Sequence, residues 1–321
     1  MPYFSVVIPV YNKGPHIQRS INSVLGQTFK DFELILVNDA STDNSLEEIK
    51  HYNDNRIRTL SRVQPGPGGY AARNLGINES QAEWVAFLDA DDEWYPDHLE
   101  KMYLLSNQFP YVCFMGCGWE NRYGNWSKKA EYYQKNHVRK AHLIDIAAYL
   151  NNVLINQSPV CTSVACVRKS CTIIFELFPA NQRAKRGGDL HAWLKIMCCH
   201  KQMAWSGHVG AIYHRDSVNM VTRTAPYSYT LLSKDIYKEL SSSLSLYEKI
   251  LLKKYFNKRL GNVMKGNINA KYSKIILWDK LYWRGDFIMT FYLVLISLIP
   301  RPILKAIVVL RGMVIKIKLS I

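Results

Sequence analysis

The sequence is short of cysteines, of acidic residues and of long apolar runs. Its 321 residues contain 7 cysteines, an odd number without the spacing of a disulfide framework, which excludes a disulfide-stabilised scaffold and is typical of a reducing compartment. The first residues lack the basic segment and the cleavage site of a signal peptide, so we expect a cytoplasmic chain. No second Cys or His pair at zinc-finger spacing accompanies Cys113 and Cys117, and the sequence therefore does not favour a structural metal site.

The shortage of acidic residues is confined to the last third of the chain. The whole sequence carries 41 Lys+Arg against 26 Asp+Glu, a net charge of +15. Residues 231–321 hold 17 basic and 5 acidic side chains, so this segment alone supplies +12. Its apolar runs 287–299 and 303–310 have 13 and 8 residues, each below the roughly 20 that a spanning helix needs.

Two short apolar helices among basic residues favour a peripheral contact with an anionic membrane through residues 286–321. The alternative is a helical pair that packs on the rest of the protein or forms a contact in a homodimer. No nucleic-acid partner is expected, because the basic residues alternate with aliphatic side chains rather than surrounding an aromatic platform. The expected location is the inner face of the cytoplasmic membrane. The basic residues concerned are Arg301, Lys305, Arg311, Lys316 and Lys318.

Hydrophobic residues make up 48% of the chain, enough to build a sizeable core. Over residues 4–110, short apolar runs alternate with segments of helical periodicity. This alternation predicts an α/β fold with a mostly parallel sheet and helices on both faces, in which ligands lie beyond the carboxyl ends of the strands. The predicted strands are 4–10, 32–37, 56–60 and 84–88, and the predicted helices are 15–25, 45–51, 70–78 and one after Pro96.

After residue 110 the pattern loosens. Residues 120–140 look like a surface excursion, and from residue 226 the chain is expected to be helical and basic. We therefore divide it into a catalytic domain, 1–225, with halves 1–110 and 111–225, and a helical region, 226–321. The elements predicted in the second half are strands at 111–119, 162–167, 203–205 and 211–213 and a helix at 188–200.

Carboxylates collect at the predicted rim of the sheet. Asp89, Asp91 and Asp92 follow the fourth strand, and Asp39 follows the second. Carboxylates so close to one another repel, so a cation is needed to keep them ionised. Oxygen ligands of this kind suit Mn²⁺ or Mg²⁺, which can in turn hold a diphosphate. The alternative is that such acids only cap helices, an interpretation preferred for Asp43 and Asp97.

The glycine-rich segment Gly66–Ala71 formally matches the GxGxxA pattern of dinucleotide-binding loops and precedes a predicted helix. It follows the third strand, whereas the dinucleotide fingerprint follows the first. An NAD-dependent enzyme is therefore a weak alternative. The glycines are better explained by a close approach of the chain to the sheet edge or to a ligand.

Four blocks of sequence carry a recognisable pattern: SVVIPVYN at 5–12, FELILVNDASTD at 32–43, ARNLG at 72–76 and WVAFLDADD at 84–92. Together they resemble the family 2 glycosyltransferases of bacterial polysaccharide and O-antigen synthesis. The resemblance spans residues 4–110 in order and spacing and continues more weakly to about residue 220. It implies a GT-A fold with a nucleotide-sugar-binding half at 1–110 and an acceptor half at 111–225.

The resemblance implies a donor site around the first two strands. Pro9 and Tyr11 would line the nucleobase pocket, with Asn12 also among the donor-binding residues. Asp39 would bind the base, and Arg73 would lie near the diphosphate.

Metal and sugar would lie at the DxD pattern. By the resemblance, Asp89 would face the ribose and the sugar, and Asp91, the last acid of the pattern, would ligate Mn²⁺ or Mg²⁺ with Asp92 as a neighbour. The segment 213–217 resembles the family's Tyr-x-His-Pro-Gly-Ser loop, whose His ligates the metal or a phosphate in some members. This implies a metal-binding role for His214, although Arg and Asp replace the loop's Pro-Gly.

The resemblance also places a general base at the start of a later helix, usually within a Glu-Asp pair. Asp189 fits this position, while Gly188 replaces the usual first acid. A helix N-terminus stabilises an ionised carboxylate, so Asp189 is expected to remove a proton from an acceptor hydroxyl.

The implied activity is metal-dependent, inverting transfer from a nucleotide-diphosphate sugar, with UDP as the expected nucleotide, to a saccharide acceptor that a lipid carrier holds. Two alternatives stay open: a polyprenyl-phosphate sugar synthase, and a catalytically inactive module that binds nucleotide sugars or scaffolds a membrane complex. The donor sugar and the linkage cannot be read from the sequence.

Overall fold

A computed structural model describes residues 1–138, 140–171, 176–182, 184–218, 220–221, 225, 228–266, 280–299 and 303. The chain divides into two compact units, Met1–Ala225 and Pro226–Ile321.

The first unit is an α/β structure. Its strands are β1 (Phe4–Val10), β2 (Phe32–Asn38), β3 (Ile57–Ser61), β4 (Trp84–Phe87), β5 (Glu93–Trp94), β6 (Phe114–Tyr123), β7 (Trp126–Lys129), β8 (His142–Asp145), β9 (Cys166–Arg168) and β10 (Gln202–His214). Its helices are α1 (Gly14–Leu25), α2 (Ser45–Lys50), α3 (Tyr70–Glu79), α4 (His98–Gln108), α5 (Glu131–Asn136), α6 (Ile146–Leu154) and α7 (Gly188–His200).

The strands form one mixed sheet of ten strands in the order β3-β2-β1-β4-β9-β6-β10-β5, with β7 paired to β6 and β8 to β10. Strands β1 to β4 pair in parallel, as the sequence predicts. The parallel arrangement ends at β9, which is antiparallel to both β4 and β6. Every residue of β2 and β4 is buried, which explains their continuous apolar sequences.

The elements predicted over residues 4–110 are confirmed to within a residue or two, and helix α7 is confirmed in full. The prediction of two strands at 203–205 and 211–213 is wrong, because both belong to β10. The pairing register between β10 and β6 shifts between Ser206 and Ala211, which produces a bulge where the sequence of β10 is polar. For this reason the sequence of one strand looks like that of two short strands. The segment predicted as an excursion, 120–140, instead carries the β6–β7 hairpin and α5.

The second unit contains the helices α8 (Lys234–Ser241), α9 (Leu246–Gly266) and α10 (Phe287–Leu298). The buried amide of Asn257 on α9 donates to the hydroxyl of Thr290 on α10 at 3.0 Å and accepts from the backbone N–H of Tyr282 at 2.9 Å. Within the described ranges, no helix is long and apolar enough to cross a membrane. The helix predicted at 303–310, and the five basic residues around it, lie outside the described residues apart from Ile303.

Candidate functional site

The loops that follow β1 and β2 are fastened to each other at the carboxyl end of the sheet. The side-chain oxygen of Asn12 accepts a hydrogen bond from the backbone N–H of Thr42 at 2.8 Å. Asp43 accepts from the N–H of Gly14 and from that of Ser45, each at 3.0 Å, and so joins the starts of α1 and α2. The interpretation of Asp43 as a cap therefore matches its contacts, whereas Asp97 makes no capping hydrogen bond through its side chain.

Asp39 is buried at the end of β2, and both of its oxygens are engaged. One oxygen pairs with the guanidinium of Arg62, and the other accepts from the N–H of Gly66 at 3.0 Å. The glycine-rich loop thus closes onto the acid that the resemblance assigns to the nucleobase. Tyr11 lies at the end of the adjacent strand with 46% of its surface exposed, so it is available to a ligand.

Asp89 forms an ion pair with Arg73 of α3 at 2.5 Å. The guanidinium also donates to the carbonyl of Gly68 at 3.0 Å and lies 5.4 Å from the centroid of the Phe178 ring. Burial raises the pKa of Asp89, and the Arg73 charge opposes that rise. Arg73 is itself buried, so this ion pair fixes a positive charge beside the rim carboxylates.

Asp91 and Asp92 are adjacent, but they face different surroundings. The Asp91 carboxylate lies 2.6 Å from the ammonium of Lys13. Asp92 turns into the protein, where it accepts from the hydroxyl of Ser163 at 2.5 Å and from the N–H of His214 at 3.1 Å. Burial and the neighbouring carboxylate of Asp91 raise the pKa of Asp92 well above its usual range. Of the two acids, only Asp91 is placed to meet a ligand at the rim.

The imidazole of His214 is directed to a different acid. Its Nε2 lies 2.9 Å from Glu93 Oε1, and Glu93 also contacts Arg122 at 3.3 Å. This hydrogen bond lowers the pKa of Glu93. Metal ligation by His214 through Nε2 would require that hydrogen bond to break, so this role stays a prediction.

Asp189 lies in the first turn of α7 and is partly exposed. It interacts electrostatically with Arg73, Asp89 and Tyr70, so its carboxylate belongs to the same charged cluster. The start of α7 is held by the hydroxyl of Tyr70, which accepts from the N–H of Gly188 at 2.8 Å. This contact also explains the missing acid, because a Cβ on Gly188 would lie 2.5 Å from the Tyr70 ring.

A buried aromatic cluster supports α7 beneath Asp189. Trp193, one turn after Asp189, stacks on Phe114 of β6 with ring centroids 5.2 Å apart and meets Phe178 edge-on at 5.5 Å. The backbone of Phe178 is held in turn by Asn74, which donates to its carbonyl at 2.8 Å and accepts from its N–H at 3.0 Å. The ARNLG block of α3 therefore supplies both the rim charge and the support for α7.

A family model for glycosyl transferase family 2 matches residues 5–164, which include the fastened loops, Asp39 and the rim acids. The chain belongs to glycosyl transferase family 2.

Individual relatives agree with this assignment. The uncharacterised glycosyltransferase YibD of Escherichia coli is 42% identical over 98 residues, covering 30% of this chain and 28% of that protein. TuaG of Bacillus subtilis, a putative teichuronic acid biosynthesis glycosyltransferase, is 38% identical over 102 residues, covering 31% of this chain and 40% of that one. The chain thus matches less than half the length of these curated relatives.

The glycosyltransferase fold extends beyond the matched family domain. A crystal structure of S. aureus TarS 1-349 in complex with UDP-GlcNAc superposes with a TM-score of 0.69 over 89% of this chain and 83% of that one. Sequence identity is 18%, so this likeness establishes the fold alone. It agrees with the GT-A fold expected from the sequence.

The sequence motifs did not identify two residues of this family 2 site. Lys13 is the partner of Asp91, and Tyr70 holds the start of α7. The position of Lys13 could have been predicted, since a cation in the loop after β1 lies at the same rim as the acids after β4. Tyr70 had none, because its partner Gly188 is 118 residues away in sequence.

We expect Gly188→Ala to destabilise the protein by about 1–3 kcal/mol, the usual range for overpacking a buried position. The reason is the Tyr70 ring, which occupies the space that the new methyl group needs. Chemical denaturation of four proteins, wild type, Gly188→Ala, Tyr70→Ala and the double variant, measures the coupling. Gly188→Ala should cost much less in the Tyr70→Ala background, and an equal cost in both backgrounds would contradict this explanation.

Proposed function

We propose that the chain transfers a sugar from a UDP-sugar to a hydroxyl group of a saccharide acceptor, with inversion at the sugar carbon. The observation that carries the proposal is the position of Asp189, a partly exposed carboxylate at the start of α7 that interacts electrostatically with the Arg73–Asp89 pair. It joins a candidate base to a candidate donor site in one cluster.

The donor is expected to lie across the fastened loops. The nucleobase would contact Pro9 and Tyr11 and hydrogen-bond Asp39, which Arg62 and Gly66 already orient. Asn12 would shape the nucleobase pocket through its hydrogen bond to the loop that follows β2. The ribose and sugar would lie toward Asp89. The structures of S. aureus TarS in complex with UDP-GlcNAc and with UDP, which share this fold, support UDP as the nucleotide.

The charges at the rim fit a divalent cation. Asp91 offers a carboxylate of which 15% is exposed, and the ammonium that faces it, Lys13, demonstrates that a positive charge is accommodated there. Hard oxygen ligands of this type suit Mn²⁺ or Mg²⁺. Bound at Asp91, the ion would supply positive charge to the leaving diphosphate. Arg73, held by its ion pair with Asp89, would add a fixed positive charge near the diphosphate.

The proton transfer is assigned to Asp189. The acceptor hydroxyl forms a bond to the sugar carbon while the bond from that carbon to the diphosphate oxygen breaks. The hydroxyl proton passes to the Asp189 carboxylate, and the diphosphate leaves with the electron pair. Tyr70 and the aromatic cluster around Trp193 hold the helix start in place, which keeps the base at one position relative to Asp89.

The relatives and the second unit support a proposal for the acceptor class. The name of TuaG links it to the synthesis of a surface polysaccharide, teichuronic acid. For this chain we propose a growing saccharide on a lipid carrier at the inner face of the cytoplasmic membrane. The second unit supports this location, because α10 exposes a row of large apolar side chains: Phe287, Ile288, Phe291, Leu295 and Leu298.

A membrane role for α10 predicts that two charges on its exposed face release the protein from vesicles. In the double variant Ile288→Glu and Phe291→Glu, co-sedimentation with phosphatidylglycerol-containing vesicles should fall by tenfold or more, since burial of each large side chain contributes about 1.5–3 kcal/mol. The matched control is Leu246→Glu, which changes an equally exposed apolar residue on α9. Equal sedimentation of the wild type and the double variant would contradict a membrane role for α10.

The transferase reaction itself is tested by incubating the protein with UDP-GlcNAc, Mn²⁺ and a lipid-linked saccharide extract. UDP formation that requires the extract, together with a product whose sugar carbon has inverted configuration by NMR, is the expected result. Retained configuration would contradict the single displacement. Donor binding without UDP formation on any saccharide extract would favour the inactive binding module.

A further inference from the structure

A second group of metal-binding side chains lies outside the rim. Cys113, just before β6, Cys171, in the turn after β9, and His200, the last residue of α7, each direct one ligand atom to a common point, and these atoms all lie within 4.8 Å of one another. Their sequence separations, 58 and 29 residues, match no zinc-finger spacing, which explains why the sequence alone does not favour a metal site.

The backbone around all three residues is fixed. The carbonyl of Cys113 accepts from the N–H of Arg168 at 2.9 Å, and the N–H of Cys171 donates to the carbonyl of Arg168 at 3.2 Å. His200 ends α7, and the next residue, Lys201, turns into the left-handed region with a φ of 67° while its N–H closes the helix. The three ligands therefore converge from the ends of two paired strands, β6 and β9, and from a capped helix end.

The polar atoms of this group are incompletely satisfied by protein. The Nε2 atom of His200 is buried, and it has no hydrogen-bond partner among the described residues. A buried nitrogen without a partner is costly to the folded state. Two thiols beside a buried imidazole nitrogen that lacks a partner are a set of donors for a soft cation.

We propose that Cys113, Cys171 and His200 bind a zinc ion, with water at the fourth position. Two sulfurs and one imidazole nitrogen are a recurrent zinc donor set, and tetrahedral zinc has Zn–S distances of about 2.3 Å and Zn–N distances of about 2.0–2.1 Å. The three ligand atoms, which lie within 4.8 Å of one another, need to move together only slightly to reach these distances from an ion. A hard ion such as Mg²⁺ or Mn²⁺ is disfavoured by sulfur ligands, so this site and the rim select different metals.

The zinc site would join three elements of the first unit at one point. It links the start of β6, the turn after β9 and the carboxyl end of α7, the helix that begins beside Asp189. Asp189 and His200 are 11 residues apart on that helix, which corresponds to roughly 16 Å at 1.5 Å per residue. The ion would thus be remote from the rim, at the far end of the helix that carries the candidate base.

Cobalt binding tests the site directly, because thiolate ligands give Co²⁺ an intense near-ultraviolet charge-transfer absorption that oxygen ligands do not give. Untagged full-length protein, purified under reducing conditions and freed of metal, is titrated with Co²⁺ and then with Zn²⁺. The wild type should develop the thiolate band with one equivalent of Co²⁺, and Zn²⁺ should abolish it. The thermal midpoint should rise with Zn²⁺, since the ion binds the folded state.

Variants assign the signal to the three residues. Cys113→Ser and His200→Gln should each weaken Co²⁺ binding by about 100-fold or more, beyond the usual loss for an outer-sphere partner. The matched control, Cys199→Ser, removes the exposed thiol next to His200 and should retain the band. A band that survives Cys113→Ser, or that Cys199→Ser abolishes, would overturn the assignment.

Two other results would also overturn the proposal. One is the absence of any thiolate band in folded, reduced wild type. The other is a protein that, isolated from cells without reductant, carries a Cys113–Cys171 disulfide and no zinc, because these sulfurs would then be a redox pair. A band lost only on Cys117→Ser would move the metal to the second Cys/His group, His98, Cys117 and His208.

Discussion

Replacement of Asp189 by Asn is expected to lower turnover by about 10²–10⁴-fold while donor affinity stays within a few-fold of wild type. Asn keeps the size of the side chain and its place at the start of α7, and it removes the negative charge together with the ability to accept a proton. The partner contacts around it, from Tyr70 to Gly188 and from Trp193 to Phe114, do not involve the carboxylate. The fold should therefore be unaffected.

The measurement for Asp189→Asn is steady-state turnover together with a titration of UDP-sugar in the presence of Mn²⁺. Gln18→Asn, a change of an amide on α1 that contacts Glu48, serves as a control for handling and folding. Near-normal turnover of Asp189→Asn would reject this residue as the base. His191 would be a poor substitute, because burial, and then the charge of Lys195, lower its pKa to about 4. A polyprenyl phosphate acceptor, which needs no strong base, would then be favoured.

Replacement of Asp91 by Ala is expected to abolish metal-dependent donor binding. Asp92 cannot take over, because its carboxylate is occupied by Ser163 and by the N–H of His214. Asp89 is paired with Arg73, so Asp91 is the rim acid whose partner, the flexible side chain of Lys13, can withdraw most readily. Binding of UDP-sugar should then lose its dependence on Mn²⁺ and weaken by tenfold or more.

A titration of UDP-sugar binding with and without Mn²⁺ tests this prediction. Asp92→Asn is the matched comparison, since it should disturb the fold around Ser163 and leave the metal response in the folded fraction. A donor affinity in Asp91→Ala that still rises with Mn²⁺ to the level of wild type would contradict the assignment of this ligand.

The first four strands and their helices were readable from sequence because each is a local pattern. β1, β2 and β4 are apolar runs of strand length, and Gly14–Leu25 shows helical periodicity that ends at Gly26. The rim acids follow from the same logic, since carboxyl ends of parallel strands meet at one edge. Most of what the sequence predicted about the candidate site came from this geometry and from the family motifs.

What escaped prediction depends on partners distant in sequence. The bulge in β10 makes one strand look like two, and the strand predicted at 162–167 begins with a turn at Thr162–Val164, so that only Cys166–Arg168 pairs, as β9, with β4 and β6. The contact between Tyr70 and Gly188, and the convergence of Cys113, Cys171 and His200, exist only once the sheet and α7 are assembled. No local pattern encodes them, because each residue type is ordinary at its own position.

The measurement that tests the central claim most directly is a thermal-shift panel of UDP-, GDP-, CDP- and dTDP-sugars and NAD, each with and without Mn²⁺. A ligand that binds only the folded state stabilises it by RT ln(1 + [L]/Kd) and so raises its thermal midpoint. The account predicts stabilisation by UDP-sugars that is strongest with Mn²⁺, and an Asp91→Ala variant in which Mn²⁺ adds nothing to the smaller stabilisation that remains. Stabilisation by NAD without metal, or by no nucleotide sugar at all, would contradict it.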